Sequence, residues 1–395
     1  MNTGHYGRHL LAEWMLDPSV AYLNHGTVGA TPRRVMAEYR RIQDAIERQP
    51  AQFQLRELAD VEGRGDPSRP HMRVAAEGVA RHLGCRADDL VFVDNATTGV
   101  NAVLRSFPFG AGDEILVTSL GYGAVTSTAR YVAREHGCTV ATVDLPPHDA
   151  TPDDYVDLVA AAVGPRTRIV LVDHITSQTA LVLPLARIAA ACRAKGALVL
   201  VDAAHSPGAI DVDIESYGVD WYTANLHKWG FAPRSCGILW ARPEHHASLH
   251  PTVISWGLGN GIAAEFDLLG TRDPAPFLAA PFALDLVEEW GGPLLRRHNH
   301  DLAMEGARMV EAEFGRALRT PEELFGPMVN VGVPHRFGTT KDEAVALQRR
   351  LLAVHGIEVP VLGDTEGLRL RISAQIYNDR SDMERLVAAL RKEAR

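Results

Sequence analysis

Cysteine is scarce in this chain, and the few that occur lie far apart. The four are Cys85, Cys138, Cys192 and Cys236, in a chain of 395 residues, and they show no C-x-x-C spacing. A disulfide framework or a structural zinc site would need clustered cysteines, so this distribution indicates free thiols in a reducing compartment. The sequence therefore predicts no metal site.

Long runs of one charge sign are also missing. The chain carries 40 basic and 49 acidic residues, a formal net charge of −9. This balance argues against a nucleic-acid or anionic-membrane surface and favours a small-molecule partner. The first 25 residues include Glu13 and Asp17 and no apolar run, so neither a signal peptide nor a membrane span is expected. The predicted location is cytoplasmic.

Internal repeats and low-complexity tracts are absent, and what the chain does contain is an alternation of strands and helices. Short apolar runs at 89–93, 114–118, 168–173 and 197–201 alternate with helical patterns such as 124–136 and 184–195. This alternation predicts an α/β fold with a mostly parallel sheet covered by helices on both faces. Ligands collect at the carboxyl ends of such strands, where the polar clusters of this sequence fall.

The pattern changes after about residue 280. Long amphipathic helices are predicted at 281–314, 341–355 and 381–394, around shorter strands at 329–333 and 368–372. They indicate a smaller α+β C-terminal domain, as expected for a chain too long for a single core. Residues 63–70, which contain Gly, Asp, Ser and Pro, are predicted to form a flexible loop.

One lysine and one aspartate point to a cofactor. Asp202 ends an apolar strand, and Lys228 follows 26 residues later in Asn-Leu-His-Lys-Trp. A lysine amine can hold the aldehyde of pyridoxal 5′-phosphate (PLP) as a Schiff base, and a strand-end carboxylate can keep the pyridine nitrogen protonated. Strand-terminal aspartates are common in any α/β protein, so this pair alone leaves an ordinary structural role open.

A second cluster is suited to a phosphate group. Residues 95–101 (Asn-Ala-Thr-Thr-Gly-Val-Asn) place small and hydroxyl side chains at a predicted helix N-terminus, where backbone N–H groups and the helix dipole favour an anion. A plain threonine N-cap explains the same residues. Asn225, His227 and Thr271 are candidates for further phosphate donors.

The remaining candidates surround the expected ring and substrate. Tyr122 follows a strand between two glycines, where an aromatic ring can stack on pyridine. Ser177, Gln178 and His205 follow two further strands and can contact the ring hydroxyl or Asp202. Arg371 lies in an alternating strand pattern and offers a guanidinium fork for an α-carboxylate; a solvent-facing arginine on an edge strand is the alternative.

These residues carry a family resemblance. Residues 225–237 (Asn-Leu-His-Lys-Trp-Gly-Phe-Ala-Pro-Arg-Ser-Cys-Gly), 21–32, 201–208 and 266–273 (Phe-Asp-Leu-Leu-Gly-Thr-Arg-Asp) resemble the class V aminotransferase family of PLP enzymes. The similarity is greatest to its isopenicillin N epimerase-like branch, which is related to the cysteine desulfurases, and it covers nearly the whole chain.

The resemblance implies the PLP-dependent transferase fold type I. It implies a PLP-binding large domain at 26–280, a small domain formed by 1–25 plus 281–395, and a homodimer with shared active sites. By the same resemblance Lys228 is the Schiff-base lysine, Asp202 the pyridinium partner and Tyr122 the stacking aromatic. The other carried-over roles are phosphate binding by Thr97, Thr98, Asn225 and His227, phosphate binding across the dimer by Thr271, and substrate binding by Arg371. Ser177 and His205 are further candidates for cofactor contacts, and Asn24 and His25 are further candidates for substrate binding.

Two positions depart from the family pattern. Ser235 follows Pro-Arg where glycine is frequent, and Gln178 stands where a small residue or proline is expected. Gln178 leaves the substrate preference open.

Several reactions remain open at the α-carbon of an amino acid or amino-acid-derived substrate. Epimerisation needs a second proton donor besides Lys228, whereas elimination of a sulfur group needs only Lys228 and a leaving group. A desulfurase that forms a persulfide needs a mobile cysteine late in the chain, and none follows Cys236. An aminotransferase using a 2-oxo acid is the alternative, and a non-catalytic relative is a further one.

Overall fold

The computed structural model describes residues 6–59, 69–364 and 367–394. Its strands are β1 (Ala21–Tyr22), β2 (Leu90–Val93), β3 (Glu114–Thr118), β4 (Thr139–Val143), β5 (Thr167–Asp173), β6 (Leu198–Ala203), β7 (Trp221–Asn225), β8 (Gly237–Ala241), β9 (Met328–Gly332), β10 (Ile357–Glu358), β11 (Val361–Asp364) and β12 (Gly367–Ser373).

Fourteen α-helices connect these strands among the described residues. They are α1 (His25–Val28), α2 (Arg33–Arg48), α3 (Pro50–Gln52), α4 (His71–Leu83), α5 (Ala96–Ser106), α6 (Gly123–His136), α7 (Pro152–Ala162), α8 (Leu185–Ala194), α9 (Ile262–Asp267), α10 (Ala275–Leu278), α11 (Ala280–Glu289), α12 (Pro293–Phe314), α13 (Lys341–His355) and α14 (Arg380–Glu393). No helix in this part of the chain is long and apolar enough to cross a membrane.

The centre of the molecule is a seven-stranded sheet with the order β2-β8-β7-β6-β5-β3-β4. Strands β4, β3, β5, β6 and β7 run parallel, whereas β8 is antiparallel to both of its neighbours. Alternate residues of the strands enter two apolar layers: α5, α6 and α9 pack on one face and α4, α7, α8, α10 and α11 on the other. The predicted α/β fold with a mostly parallel sheet is confirmed.

A second, smaller sheet lies in the C-terminal part, where β11, β12 and β9 form an antiparallel sheet against which α12 packs. The N-terminal strand β1 pairs with β10, so residues near 21 lie beside residues near 357. An isolated bridge also joins Asn24 to Ser373. The division into domains at residues 25 and 280 stays a prediction.

One detail differs from the sequence prediction, and another lies for the most part outside the described residues. The single helix predicted over 281–314 is wrong, because the chain turns at Gly291 and Gly292, whose φ angles are 112° and 46°. This turn separates α11 from α12. The flexible loop predicted at 63–70 lies for the most part outside the described residues, since only 69 and 70 of it belong to them.

Candidate active site

A cavity of about 500 Å³ opens at the carboxyl edge of the large sheet. It brings together most of the predicted cofactor residues, although they come from five separate segments. The predicted residues that line it are Thr97, Thr98, Tyr122, Ser177, Asp202, His205, Asn225, His227 and Lys228. The other residues that line it are Thr27, Asn95, Ala96, Asp173, Ile175 and Ala204, of which Asn95 and Ala96 belong to the phosphate cluster predicted at 95–101.

Lys228 follows β7 and reaches into this cavity. Its Nζ lies 3.0 Å from Nε2 of His205. Burial and, to a smaller extent, the nearby Arg371 lower the pKa of the lysine to about 8, although the carboxylates of Asp202 and Asp173 oppose this shift. An amine with this pKa is partly neutral near physiological pH, so Lys228 can act as a nucleophile or a base.

The backbone around Lys228 is held closely. Gly29 has a φ of 70°, and a Cβ at this position would lie 2.1 Å from the carbonyl oxygen of His227. His25 is fully buried: its Nδ1 pairs with the hydroxyl of Tyr377 at 2.9 Å, and its Nε2 lies 3.1 Å from the carbonyl oxygen of Lys228. Both ring nitrogens are engaged inside the core and His25 is not among the residues that line the cavity, so its contact with substrate stays a prediction. His25 fixes the backbone of the lysine.

Two aspartates end adjacent strands beside the lysine. Asp173 of β5 and Asp202 of β6 are Cα partners in the parallel register, and both are buried. Oδ1 of Asp202 accepts the backbone N–H of Ala204 at 3.0 Å. Burial raises the pKa of both carboxyls, and the charge of Asp202 raises that of Asp173 further. The sequence signal that identified Asp202, a carboxylate at a strand end, was equally present at Asp173.

The N-terminus of α5 forms one wall of the cavity. Asn95 caps the helix by accepting the N–H of Thr98 at 3.0 Å, and Oδ1 of Asn225 accepts the N–H of Ala96 at 2.8 Å. The amide oxygen of Asn225 thus anchors the helix start, which leaves its NH₂ group for a ligand. Thr97 and Thr98 lie at the positive end of the helix dipole, a favourable place for a phosphate.

His227 lies on the same side of the cavity as this helix start. Its Nδ1 donates to the carbonyl oxygen of Cys236 at 2.9 Å. Burial lowers the pKa of the imidazole to about 4, although that hydrogen bond partly opposes the shift. The ring is therefore neutral, and Nε2 is the nitrogen that remains for a ligand.

Arg371 is buried beside the cavity and has no carboxylate partner within ion-pair distance among the described residues. Its Nη1 donates to the carbonyl oxygen of Ser177, and its Nη2 donates to Oγ1 of Thr27, each at 2.5 Å. Nε is buried without a partner. Burial lowers the pKa of the guanidinium to about 10. A buried cation that lacks a counter-ion is suited to capture a substrate carboxylate.

Asn24 lies behind this arginine instead of in the cavity. Its Nδ2 donates to Oε1 of Glu358 at 2.8 Å, and its Oδ1 accepts from the hydroxyl of Thr27. The amide group and the carbonyl oxygen each have a partner, and Asn24 is not among the residues that line the cavity, so its contact with substrate stays a prediction. The side chain orients Thr27, and Thr27 in turn orients Arg371.

Two further predicted residues lie at the surface. The side chain of Tyr122 is about half exposed at the cavity mouth, and its backbone N–H lowers the pKa of the Asp173 carboxyl. Thr271 is exposed and does not line the cavity of its own chain. The role of Thr271 across a dimer interface stays a prediction.

The described residues suit pyridoxal phosphate in each of its parts. Asp173 and His205 line the cavity, and each has a buried polar atom without a hydrogen-bond partner. These atoms are Oδ2 of Asp173 and Nδ1 of His205. A lysine amine, a carboxylate and a helix N-terminus with two threonines surround the same space. These groups match the aldehyde, the ring nitrogen and the phosphate of the cofactor.

Fold and site together define an α/β enzyme with a buried lysine at the carboxyl edge of its sheet. The family model for aminotransferase class V matches residues 56–386, and the chain belongs to this family. The predicted family is thereby confirmed.

Among curated relatives, a probable chloroplastic L-cysteine desulfhydrase of Arabidopsis thaliana is 32% identical over 95% of this chain and 83% of its own length. An isopenicillin N epimerase of Streptomyces clavuligerus is 33% identical over 95% of each chain. Both relatives are named as enzymes.

Solved structures share the fold. The C–S lyase C-DES, in a mutant with glycine covalently linked to its PLP cofactor, superimposes with a TM-score of 0.78 at 20% identity and covers 95% of this chain and 96% of its own. A cysteine desulfurase from Thermococcus onnurineus gives a TM-score of 0.79 at 18% identity and covers 99% of both chains. The predicted relation to cysteine desulfurases holds at the level of the fold.

Proposed function

We propose that this chain is a pyridoxal-phosphate-dependent enzyme that acts at the α-carbon of an amino acid and eliminates sulfur from the β-carbon of a cysteine-type substrate. The observation that carries this proposal is the pairing of Lys228, buried with a lowered pKa, with Arg371, a buried cation without a counter-ion. One group removes a proton and the other holds a carboxylate, and an α-amino acid has both features.

The residues divide the work of this reaction. The cofactor, when bound, supplies an electron-withdrawing ring next to the α-carbon. Lys228 supplies the amine that holds the cofactor and later takes the α-proton at Nζ. His205, 3.0 Å away, holds that amine in position. Asp202 keeps a proton on the ring nitrogen, and Arg371 fixes the carboxylate so that the α-proton faces Lys228.

The elimination step breaks two bonds of the substrate and conserves atoms and charge. The α-proton passes to Nζ of Lys228, the electron pair of that Cα–H bond forms the Cα=Cβ double bond, the Cβ–S bond breaks, and sulfur leaves as a thiolate with the electron pair of the Cβ–S bond. This route needs a single proton carrier, which the site provides.

The positions of the cysteines favour elimination over transfer of sulfur to the protein. None of the residues that line the cavity is a cysteine. Cys236 is fully buried, and burial raises its pKa. Cys138 precedes β4 and bonds to the carbonyl oxygen of Gly110, at the opposite edge of the sheet. A persulfide-forming reaction would need a thiolate that reaches the substrate.

Epimerisation is a second candidate because of Tyr122. Inversion requires a proton carrier on the face of the substrate opposite to Lys228. Tyr122 is the one phenol among the residues that line the cavity, and it lies at the mouth. Epimerisation predicts that Tyr122→Phe abolishes inversion while it leaves proton exchange at one face.

The experiment is a screen of the purified holoenzyme with L-cysteine, D-cysteine and other amino acids. Released pyruvate, ammonia and sulfide report elimination, and chiral chromatography in deuterated water reports inversion. Lys228→Ala should abolish both reactions, and Asp202→Asn should slow proton removal by roughly 100-fold, since a neutral pyridine withdraws electrons poorly.

Three results would contradict elimination. Inversion without release of sulfide would make the chain an epimerase. Recovery of the cofactor absorption by a 2-oxo acid would make it an aminotransferase. A protein that binds no PLP would be a non-catalytic relative.

We also propose a homodimer in a reducing compartment such as the cytoplasm. The segment between β8 and α9 exposes Val253, Ile254, Trp256 and Leu258, and Trp256 is 72% exposed. Such an apolar cluster on a protein surface is typical of an interface. All four cysteines are free, which supports the reducing compartment.

A further inference from the structure

Asp173 is a buried titratable group that the proposed mechanism does not use. It lines the cavity and is only 3% exposed. Its Oδ2 is buried without a hydrogen-bond partner in the described part of the chain, and the backbone N–H of Tyr122 only partly opposes the effect of burial on the pKa of the carboxyl. An unpartnered carboxylate oxygen in such a place is costly, whereas a protonated oxygen can donate.

The neighbour that can receive this proton is Asp202. The two residues are register partners on adjacent parallel strands, so their side chains project from the same face of the sheet. Both line one cavity, and Oδ1 of Asp202 is already bonded to the N–H of Ala204. Two carboxylates in one buried site do not both ionise easily, and one pKa is raised strongly.

The surrounding charges decide which carboxyl keeps the proton. The groups that face the pair are Lys228 and His227 after β7, His205 after β6, Tyr122 before α6 and Arg371 on β12. Of these, Lys228 attracts both carboxylates, and the charge of Asp202 raises the pKa of Asp173. Burial makes His205 neutral by lowering its pKa. Asp202 is therefore the member that ionises first.

We propose that Asp173 is a positioning residue that stays protonated and donates a hydrogen bond from Oδ2 to Asp202, so that the pair carries a single negative charge. This inference rests on the proposed function, because its consequence concerns the ring nitrogen of the cofactor. An Asp202 carboxylate that receives this bond is a weaker base and leaves the proton on the ring nitrogen. Without the donor, Asp202 holds the proton itself.

The test compares a neutral isostere with an apolar replacement. Asp173→Asn keeps a donor and cannot ionise, whereas Asp173→Leu has a similar volume and no donor. For each holoenzyme we would measure the dissociation constant for PLP, the absorption of the bound cofactor across pH, and the infrared carbonyl band of a protonated carboxylic acid. Circular dichroism and thermal unfolding would establish that each variant is folded.

We expect Asp173→Asn to change PLP binding much less than Asp173→Leu does. Asp173→Asn should bind PLP within about 3-fold of the wild type with an unchanged spectrum at neutral pH, and should lack the acid carbonyl band. Asp173→Leu should weaken PLP binding about tenfold or more, as expected for loss of a hydrogen bond to a charged group, and its cofactor spectrum at neutral pH should be that of an unprotonated ring nitrogen, because Asp202 then holds the shared proton.

Two outcomes would overturn the proposal. If Asp173→Asn is as impaired as Asp202→Asn, Asp173 acts as an anion. If Asp173→Leu matches the wild type in the spectrum and in PLP affinity, the residue does not act on Asp202. A wild-type protein that binds no PLP would instead refute the proposed function, and the acid carbonyl band can still be sought in that protein.

Discussion

At the scale of single residues, burial gives Lys228 the proton affinity that its chemistry needs. Its pKa is lowered to about 8, so the neutral fraction of the amine rises with pH up to that value and then levels off. Only the neutral amine captures an aldehyde. We predict that the rate of capture of added PLP by the cofactor-free protein rises about tenfold per pH unit below pH 8 and is flat above about pH 9, as measured by stopped-flow absorption.

A rate that keeps rising above about pH 9 would show that Lys228 keeps an ordinary lysine pKa. Borohydride reduction at each pH, followed by peptide mapping, identifies the residue that carries the cofactor. Label on any lysine other than Lys228 would contradict the assignment. Lys228→Ala is the control, and it should fold and take up no label.

The hydrogen bond from Arg371 to Thr27 leads to a second prediction at the scale of single residues. Thr27→Val removes the hydroxyl that accepts from Nη2 of Arg371. Because that bond orients a charged group, its loss should raise KM about tenfold while kcat changes little. Arg371→Ala should raise KM by roughly 100-fold. Steady-state kinetics with the substrate found by the screen, together with inhibition by its decarboxylated analogue, separates carboxylate binding from chemistry.

Thr27→Ser is the matched control because it keeps the hydroxyl. It should behave like the wild type. Equal kinetics for Thr27→Val and the wild type would mean that Ser177 alone holds the guanidinium, and a drop in kcat without a change in KM would place Thr27 in the chemical step.

The sequence identified those residues of the cavity that lie in a short, recognisable motif. Lys228 and Asp202 lie in recognisable motifs, and both line the cavity. Asn24 and His25 lie in a motif as well, but their side chains point into hydrogen-bond networks with Glu358 and Tyr377, more than 300 residues away in the chain. The sequence carries no local signal for such a partner, so residue type alone could not separate a substrate contact from a supporting role.

At the scale of elements, the approach of α5 to β7 places the N-terminus of the helix at the cavity. A Cβ at Gly99 would lie 2.0 Å from Oγ1 of Thr223. Gly99→Ala should therefore push the helix away, lower the free energy of unfolding by about 1–3 kcal/mol and weaken PLP binding. Chemical denaturation and a PLP titration measure both effects.

Gly123→Ala is the control for this substitution. Gly123 also lies in a helix, α6, and a Cβ there meets nothing within 4 Å. Alanine has the higher helix propensity, so this variant should be as stable as the wild type or more so. If Gly99→Ala were equally stable, the close packing of α5 on β7 would not be a constraint.

Most strands and helices were visible as periodic patterns, and the misses have physical causes. The predicted strand 114–118 and helix 341–355 match the structure in both bounds. Strand β8 was not predicted. Its direction and its place in the sheet depend on pairing with β2 and β7, near the edge of the sheet that β2 forms. Strand β4 escaped notice because it lies at the sheet edge and only Val143 of its five residues is buried.

At the scale of the whole molecule, the site draws on segments from both ends of the chain. Thr27 precedes the first long helix, and Arg371 lies in β12, yet the two are hydrogen-bonded. Pairing of β1 with β10 makes this contact possible. Order along the sequence did not indicate that pairing, because each of the two strands has only two residues and no periodic signal.

The assembly itself can be tested by mixing inactive variants. We predict that Lys228→Ala and Thr271→Tyr each lack activity, and that their mixture recovers about a quarter of the wild-type activity after subunit exchange. Random pairing gives heterodimers in half of the dimers. If Thr271 serves the partner's cofactor, one site of each heterodimer carries both defects and the other carries neither.

The control pair is Lys228→Ala with Asp202→Asn. Both residues line the cavity of their own chain, so every site in that heterodimer keeps one defect and no activity should return beyond that of the separate variants. Native mass spectrometry of a mixture with one isotopically labelled chain establishes that exchange occurred. Recovery in the first mixture alone places Thr271 across the interface. Absence of recovery in both, despite exchange, would mean that Thr271 acts within its own chain, and the exposed position of its side chain would then need a movement of the segment between α9 and α10.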